Sequence, residues 1–130
     1  MKQKQLIVCL LLVALSCVNA INGFADVRNE KSINMHEKPN GGIHFDQPIL
    51  FDQPDVYLDT DNLTIIIDGC GEVSYYDVEI ESMTTWLTVI STQVNGTYDT
   101  IDVSSLTSGD YIITITSPTG HEFEGEFTIN

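Results

Sequence analysis

The segment Asp59-Thr60-Asp61-Asn62 sets three oxygen-bearing side chains, Asp59, Asp61 and Asn62, within four residues, the kind of ligand density a hard cation such as Ca²⁺ uses. A calcium site at Asp59, Asp61 and Asn62 is therefore one expectation. A full calcium hand also wants Gly at its sixth position and Glu at its twelfth, and neither stands there. Turn formation explains Asp and Asn at these positions without a metal. A second grouping has period two: Asp77, Glu79 and Glu81, then Glu122, Glu124 and Glu126. On strands each triplet points one way, so if the two strands are neighbours, Glu79, Glu81, Glu122, Glu124 and Glu126 form an acidic face suited to a basic partner. Solvation and edge protection explain exposed carboxylates equally well.

Catalytic groupings are harder to assemble. Ser, His and Asp all occur, but there is no Gly-x-Ser-x-Gly elbow, and His36 and His44 fall in an N-terminal stretch apart from His121. A nucleophile needs a base and an orienting group in one pocket, and no spacing here brings them together. The reading is that the chain is not an enzyme and needs no cofactor. Three His and Cys70 are too scattered for a structural zinc site. Cys70 lies in Gly69-Cys70-Gly71 between Asp68 and Glu72, where negative charge disfavours a thiolate.

At the N-terminus, Met1-Lys2-Gln3-Lys4-Gln5 is followed by a 13-residue apolar run, Leu6 to Val18, and then by Asn19-Ala20. This is the three-part pattern of a cleavable signal peptide over residues 1–20. The run is too short for a helix crossing about 30 Å of hydrocarbon at about 1.5 Å per residue. Cleavage after Ala20 is expected, with Ala25 as the second site. Cys17 raises a lipoprotein alternative, against which stands the bulky Leu15 where a small residue is wanted. Cleavage leaves Cys70 alone, so the exported domain closes no internal disulfide and relies on its core. All 19 acidic residues follow the signal segment, no Lys or Arg follows Lys38, and the whole chain carries −14. Such a surface repels phosphate backbones and anionic lipid headgroups. Nucleic acid and membrane insertion are accordingly excluded as expectations, and a secreted or periplasmic location is expected.

The elements that must position these residues are strands. Residues 21–47 mix polar residues around isolated apolar ones and end near Lys38-Pro39-Asn40-Gly41-Gly42, which reads as a mobile leader. Phe45-Asp46-Gln47-Pro48 recurs as Phe51-Asp52-Gln53-Pro54, an offset too short for a solenoid repeat. From Pro48 the period is two. Val56 and Leu58, then Leu63, Ile65 and Ile67, form a hairpin about the Asp59 to Asn62 turn. Tyr76, Val78 and Ile80 face inward. Between Met83 and Val94, Trp86, Thr88 and Ile90 compete with Leu87 and Val89 for the core, and the register stays open. Asn95-Gly96 is a two-residue hairpin signal leading into Tyr98 to Val103. Tyr111, Ile113 and Ile115 face inward, and after Ser117-Pro118-Thr119-Gly120 so do Phe123, Gly125, Phe127 and Ile129. About seven short strands without an amphipathic helix imply an antiparallel β-sandwich over residues 48–130.

The run Leu106-Thr107-Ser108-Gly109-Asp110-Tyr111 with the later Phe123-Glu124-Gly125-Glu126-Phe127 resembles the endings of short secreted immunoglobulin-like domains of unknown function common in gut Bacteroidetes. Pro54-Asp55-Val56-Tyr57-Leu58-Asp59 and Leu63-Thr64-Ile65-Ile66-Ile67 are similar to that family's opening hairpin. The resemblance implies an all-β, immunoglobulin-like antiparallel β-sandwich, and brings no catalytic residues. The same ending is similar to C-terminal sorting domains of type IX secretion, which follow a large cargo domain that this chain lacks. The resulting expectation is a monomeric, exported, non-catalytic module that binds a protein or glycan at the cell envelope, with a structural or sorting element as the alternative.

Overall fold

The computed structural model describes residues 29–39, 53–69 and 71–130. The expected signal peptide and its expected cleavage sites, Cys17, His44, Cys70 and most of the Phe-Asp-Gln-Pro near-repeat lie outside the described residues. Strands run in chain order as β1 (Glu30–Ile33), β2 (His36–Glu37), β3 (Asp55–Asp59), β4 (Thr64–Asp68), β5 (Tyr75–Ser82), β6 (Thr88–Asn95), β7 (Tyr98–Asp102), β8 (Gly109–Thr116) and β9 (Glu122–Ile129). They form two antiparallel sheets, one ordered β1-β3-β4-β7 and the other β2-β9-β8-β5-β6. The inward columns are those the alternation predicts: Val56, Leu58, Ile65, Ile67, Tyr76, Val78, Ile80, Ile113, Ile115 and Phe123 are all buried in one core. One face of each sheet is apolar, so the two faces must cover each other.

The β3–β4 hairpin forms as expected, with Val56 opposite Ile67 and Leu58 opposite Ile65. In the Met83 to Val94 segment neither set fills the core as a whole: Ile90 packs against it and Val94 is buried, while Thr88 is exposed. Trp86, Leu87 and Val89 are 62%, 66% and 42% exposed. A bulge decides this, because the β5–β6 register jumps from Ile80 opposite Ile90 to Glu81 opposite Thr88, leaving Val89 as the extra residue turned outward.

Two expectations are corrected. The mobile leader over residues 21–47 does not hold for the described residues 29–39. Here β1 pairs with β3 and β2 with β9, so this short stretch adds a strand to each sheet. Ile33 and Met35 are buried above Gly125, where a Cβ would lie 2.8 Å from Ile33 Cγ2 and 2.6 Å from Met35 Sδ. The glycine in the inward column of β9 is thus the space the crossing chain fills. The second correction concerns Asn95-Gly96, which turns the chain between sheets instead of closing a hairpin. The strand β6 belongs to the five-stranded sheet and β7 to the four-stranded one. Asn95 Oδ1 accepts the Thr97 amide at 2.8 Å and Asp99 Oδ2 the Asn95 amide at 2.9 Å, so the local turn chemistry is present. A Cβ at Gly96 would lie 2.0 Å from the Val73 carbonyl oxygen, and that close approach is what demands glycine at this corner.

Candidate functional site

The acidic triplets fall on β5 and β9, and β8 lies between them. Glu79 faces Thr114, which faces Glu124; Asp77, Thr116 and Glu122 form the next row, and Glu81, Ile112 and Glu126 the one beyond. Carboxylates in one row are therefore two strand spacings apart, about 10 Å, a distance at which solvent and salt screen most of their repulsion. All five predicted residues share one sheet face, as two acidic columns separated by a threonine and isoleucine column. The β9 column is partly neutralised. Lys38 Nζ sits 3.0 Å from Glu122 Oε1 and 3.0 Å from Glu124 Oε2, and its own amide donates to the Glu122 carbonyl at 2.8 Å. The hydrogen bond that Lys38 donates to Glu122, then the one it donates to Glu124, holds its ammonium above the ordinary lysine pKa. On β5, Asp77 Oδ1 accepts from Gln93 Nε2 at 3.0 Å, while Glu79 is exposed and lies opposite Ser91 of β6.

At the end of this face the β5–β6 hairpin closes tightly. The Ser82 amide donates to the Leu87 carbonyl at 3.0 Å and the Trp86 amide to the Ser82 carbonyl at 2.8 Å. Ser82 Oγ also accepts from the amides of Thr84 and Thr85 at 3.3 and 3.4 Å. This loop holds Trp86 at φ 58, a left-handed conformation that costs a bulky residue about 1–2 kcal/mol. The result is an exposed aromatic and aliphatic tip, Trp86 and Leu87, with Val89 beside it. Alternation alone did not reveal it, since Trp86 and Leu87 lie in the loop between β5 and β6, where no strand period applies.

The Asp59 loop is closed by its own groups. Asp59 Oδ1 accepts from the amides of Asp61 and Asn62 at 3.0 and 3.1 Å, and Oδ2 from Asn62 Nδ2 at 2.8 Å. Asn29 Nδ2 reaches both Asp61 oxygens, at 3.2 and 3.3 Å. Asp59 is buried, Asp61 and Asn62 are exposed, and the arrangement is that of an Asx turn. Among the described residues no group of three or more His, Cys, Asp or Glu side chains converges as a metal site.

His121 is buried, with Nδ1 3.0 Å from Glu37 Oε1 on β2. Its main-chain amide donates to Ser117 Oγ at 3.2 Å, and the Ser117 amide donates to the His121 carbonyl at 2.8 Å. These contacts tie the 117–121 turn and anchor β2 to it. A cleft of about 330 Å³ opens between β1 and β9, with Ile33, Met83 and Phe127 inside and Lys31, Asp110 and Glu126 among its polar lining. Among the described residues no helix is long and apolar enough to cross a membrane.

The Leu106-x-x-Gly109-x-Tyr111 motif now has a physical content. Tyr111 Oη donates back to the Thr107 carbonyl at 2.5 Å, its ring stacks on Phe127 with centroids 5.6 Å apart, and Leu106 packs against the core. A tyrosine near the start of a strand, bonded to the backbone a few residues upstream, is a device of Greek-key sandwiches. A solved structure of similar fold is a DUF3244 family protein from Bacteroides vulgatus, described as having an immunoglobulin-like β-sandwich fold. It superposes with a TM-score of 0.61 at 15% identity, over 78% of this chain and 99% of that one. The fold is an immunoglobulin-like β-sandwich. This agrees with the resemblance of the strand motifs to Bacteroidetes immunoglobulin-like domains. No family model matches the chain, and no curated protein does. At this identity the likeness speaks for the fold alone, and an immunoglobulin-like sandwich hosts many functions.

Proposed function

We propose that the chain is exported by its N-terminal signal, cleaved after Ala20, and acts at the cell envelope as a monomeric, non-catalytic module that binds a protein partner through the β5–β6 hairpin. The observation that carries this reading is the tip itself. Trp86 and Leu87 are large apolar side chains with most of their surface in water, on a loop braced by Ser82. Aromatic anchors on a loop held in place before binding are the groups that dominate protein interfaces, because little backbone entropy remains to be lost. A protein is favoured over a glycan because Leu87 and Val89 extend the apolar area around the ring, where a sugar would need hydrogen-bonding groups.

The chain has a single tryptophan, so its fluorescence reports on this tip alone. The mature protein is titrated with purified envelope proteins and with a glycan panel. The expected result is a blue shift and a saturable titration with a protein component, lost in Leu87→Asp, which keeps the fluorophore. Binding that Leu87→Asp leaves intact, or a shift with glycans only, overturns the reading. The mass of the protein recovered from the native host tests the cleavage after Ala20.

A further inference from the structure

The two sheets have four edge strands among the described residues, and three of them are blunted. The strand β1 has four residues and carries Glu30 and Lys31; β2 has only two residues; β7 has five, with Asp99 and Asp102. The fourth, β6, is Thr88-Val89-Ile90-Ser91-Thr92-Gln93-Val94-Asn95, eight residues without a charge or a proline. Its bulge lies at the hairpin end, so the stretch from Ile90 to Asn95 is regular and among the described residues pairs only with β5. Sheet edges are normally protected by shortness, charge, proline or bulges. An edge that keeps regular geometry and lacks charge is a template for an added strand.

What sits behind this edge selects its occupant. Opposite β6 on the outer sheet face, Ser91 lies against Glu79, Gln93 against Asp77, and Thr88 against Glu81. An added strand lies about 4.8 Å beyond β6 and about 10 Å from β5. A Lys or Arg on its outer face is long enough to cross one strand spacing, and the Glu79 side chain, leaning outward over the small Ser91 opposite it, meets it above β6. A second copy of this chain would bring its own Asp77, Glu79 and Glu81 towards the same place, on a chain of net charge −14, which opposes that pairing. Resting on the binding reading above, we propose that β6 accepts a β-strand from a basic partner, with Lys or Arg at alternate positions over Glu79 and Glu81 and with Trp86 and Leu87 packing on its end.

The probe is a synthetic peptide alternating Lys and Val, about eight residues long to match the strand, followed by calorimetry, Trp86 emission and amide hydrogen exchange. Expected are new protection of amides within Thr88–Asn95, an affinity that falls as salt rises from about 50 to about 500 mM, and weakening by about threefold to tenfold in Glu79→Gln/Glu81→Gln. A version of the peptide methylated on its backbone nitrogens keeps the charges but cannot pair, and is expected not to bind. Equal binding of that version, equal binding of a Glu-for-Lys peptide, or protection elsewhere on the protein overturns the proposal. So does a dimer in sedimentation that Thr92→Lys dissolves, which would give the edge to a second copy. If the peptide fails while an envelope protein still shifts Trp86 emission in a Leu87-dependent way, only the strand-addition proposal falls; if both are silent, the binding reading falls with it.

Discussion

Replacing Gly125 with alanine tests whether the N-terminal strands belong to the fold. A Cβ there would stand 2.6 Å from Met35 Sδ, 2.8 Å from Ile33 Cγ2 and 3.1 Å from the Asn34 carbonyl oxygen. The Met35 sulfur ends a flexible chain and yields cheaply. Ile33 is β-branched and stiff at χ1, and the Asn34 oxygen is main chain, so relief requires the segment from Ile33 to Met35 to lift from β9. Overpacking of this kind costs about 1–3 kcal/mol, while replacing glycine stabilises by about 0.4–1 kcal/mol through the unfolded chain. The net expectation is a loss of about 1–2 kcal/mol in urea unfolding, accompanied by faster amide exchange in β1 and β2. Because Met35→Ala removes one of the three obstructing groups, Gly125→Ala is expected to cost less in that background, a coupling of about 0.5–1 kcal/mol. An alanine variant as stable as the parent, with β1 and β2 amides equally protected, refutes the packing argument.

Three further outcomes follow from particular contacts. Tyr111→Phe keeps the stack on Phe127 but leaves the Thr107 carbonyl without the Tyr111 hydroxyl, and is expected to lower stability by about 1–2 kcal/mol, read by urea denaturation; no loss would mean that the hydroxyl contributes nothing net. Trp86→Gly relieves φ 58 at a site where little apolar burial is lost, so far-ultraviolet thermal melts are expected to show equal or higher stability by up to about 1 kcal/mol, and a clear loss would show that the ring packs on the domain. Lys38 has a folded-state pKa above its ordinary value, so its contribution is present below the unfolded lysine pKa and is lost as pH rises through the folded one. The stability difference between the parent and Lys38→Met is therefore expected to be flat at neutral pH and to shrink only in strong alkali; a difference that vanishes near neutrality refutes the bridge to Glu122 and Glu124.

Much of the sandwich was legible because alternation is a local property. In β9, Glu122, Glu124 and Glu126 alternate with Phe123, Gly125 and Phe127, and a period of two can satisfy only a strand with one buried face. The Leu106, Gly109 and Tyr111 spacing was legible for the same reason, since its hydrogen bond spans only four residues. The acidic columns were legible as columns. Their separation was not, because nothing in either triplet says that β8 will lie between them.

Chemistry within a few residues, then, settled which segments become strands, which side of each faces the core, and that the surface is acidic. Tertiary structure alone decided partnership. Asn95-Gly96 has the composition of a hairpin turn, yet β5 takes β6 while β4 takes β7, because covering both apolar faces outweighs the local preference of two residues. Ile33 and Met35 look isolated along the chain and become core only above the space at Gly125. The exposed Trp86 tip and the uncharged β6 edge likewise depend on how the loop between β5 and β6 closes and on a place at the margin of a sheet. Hydrophobic periodicity specifies faces, whereas neighbours are chosen by packing between segments far apart in sequence.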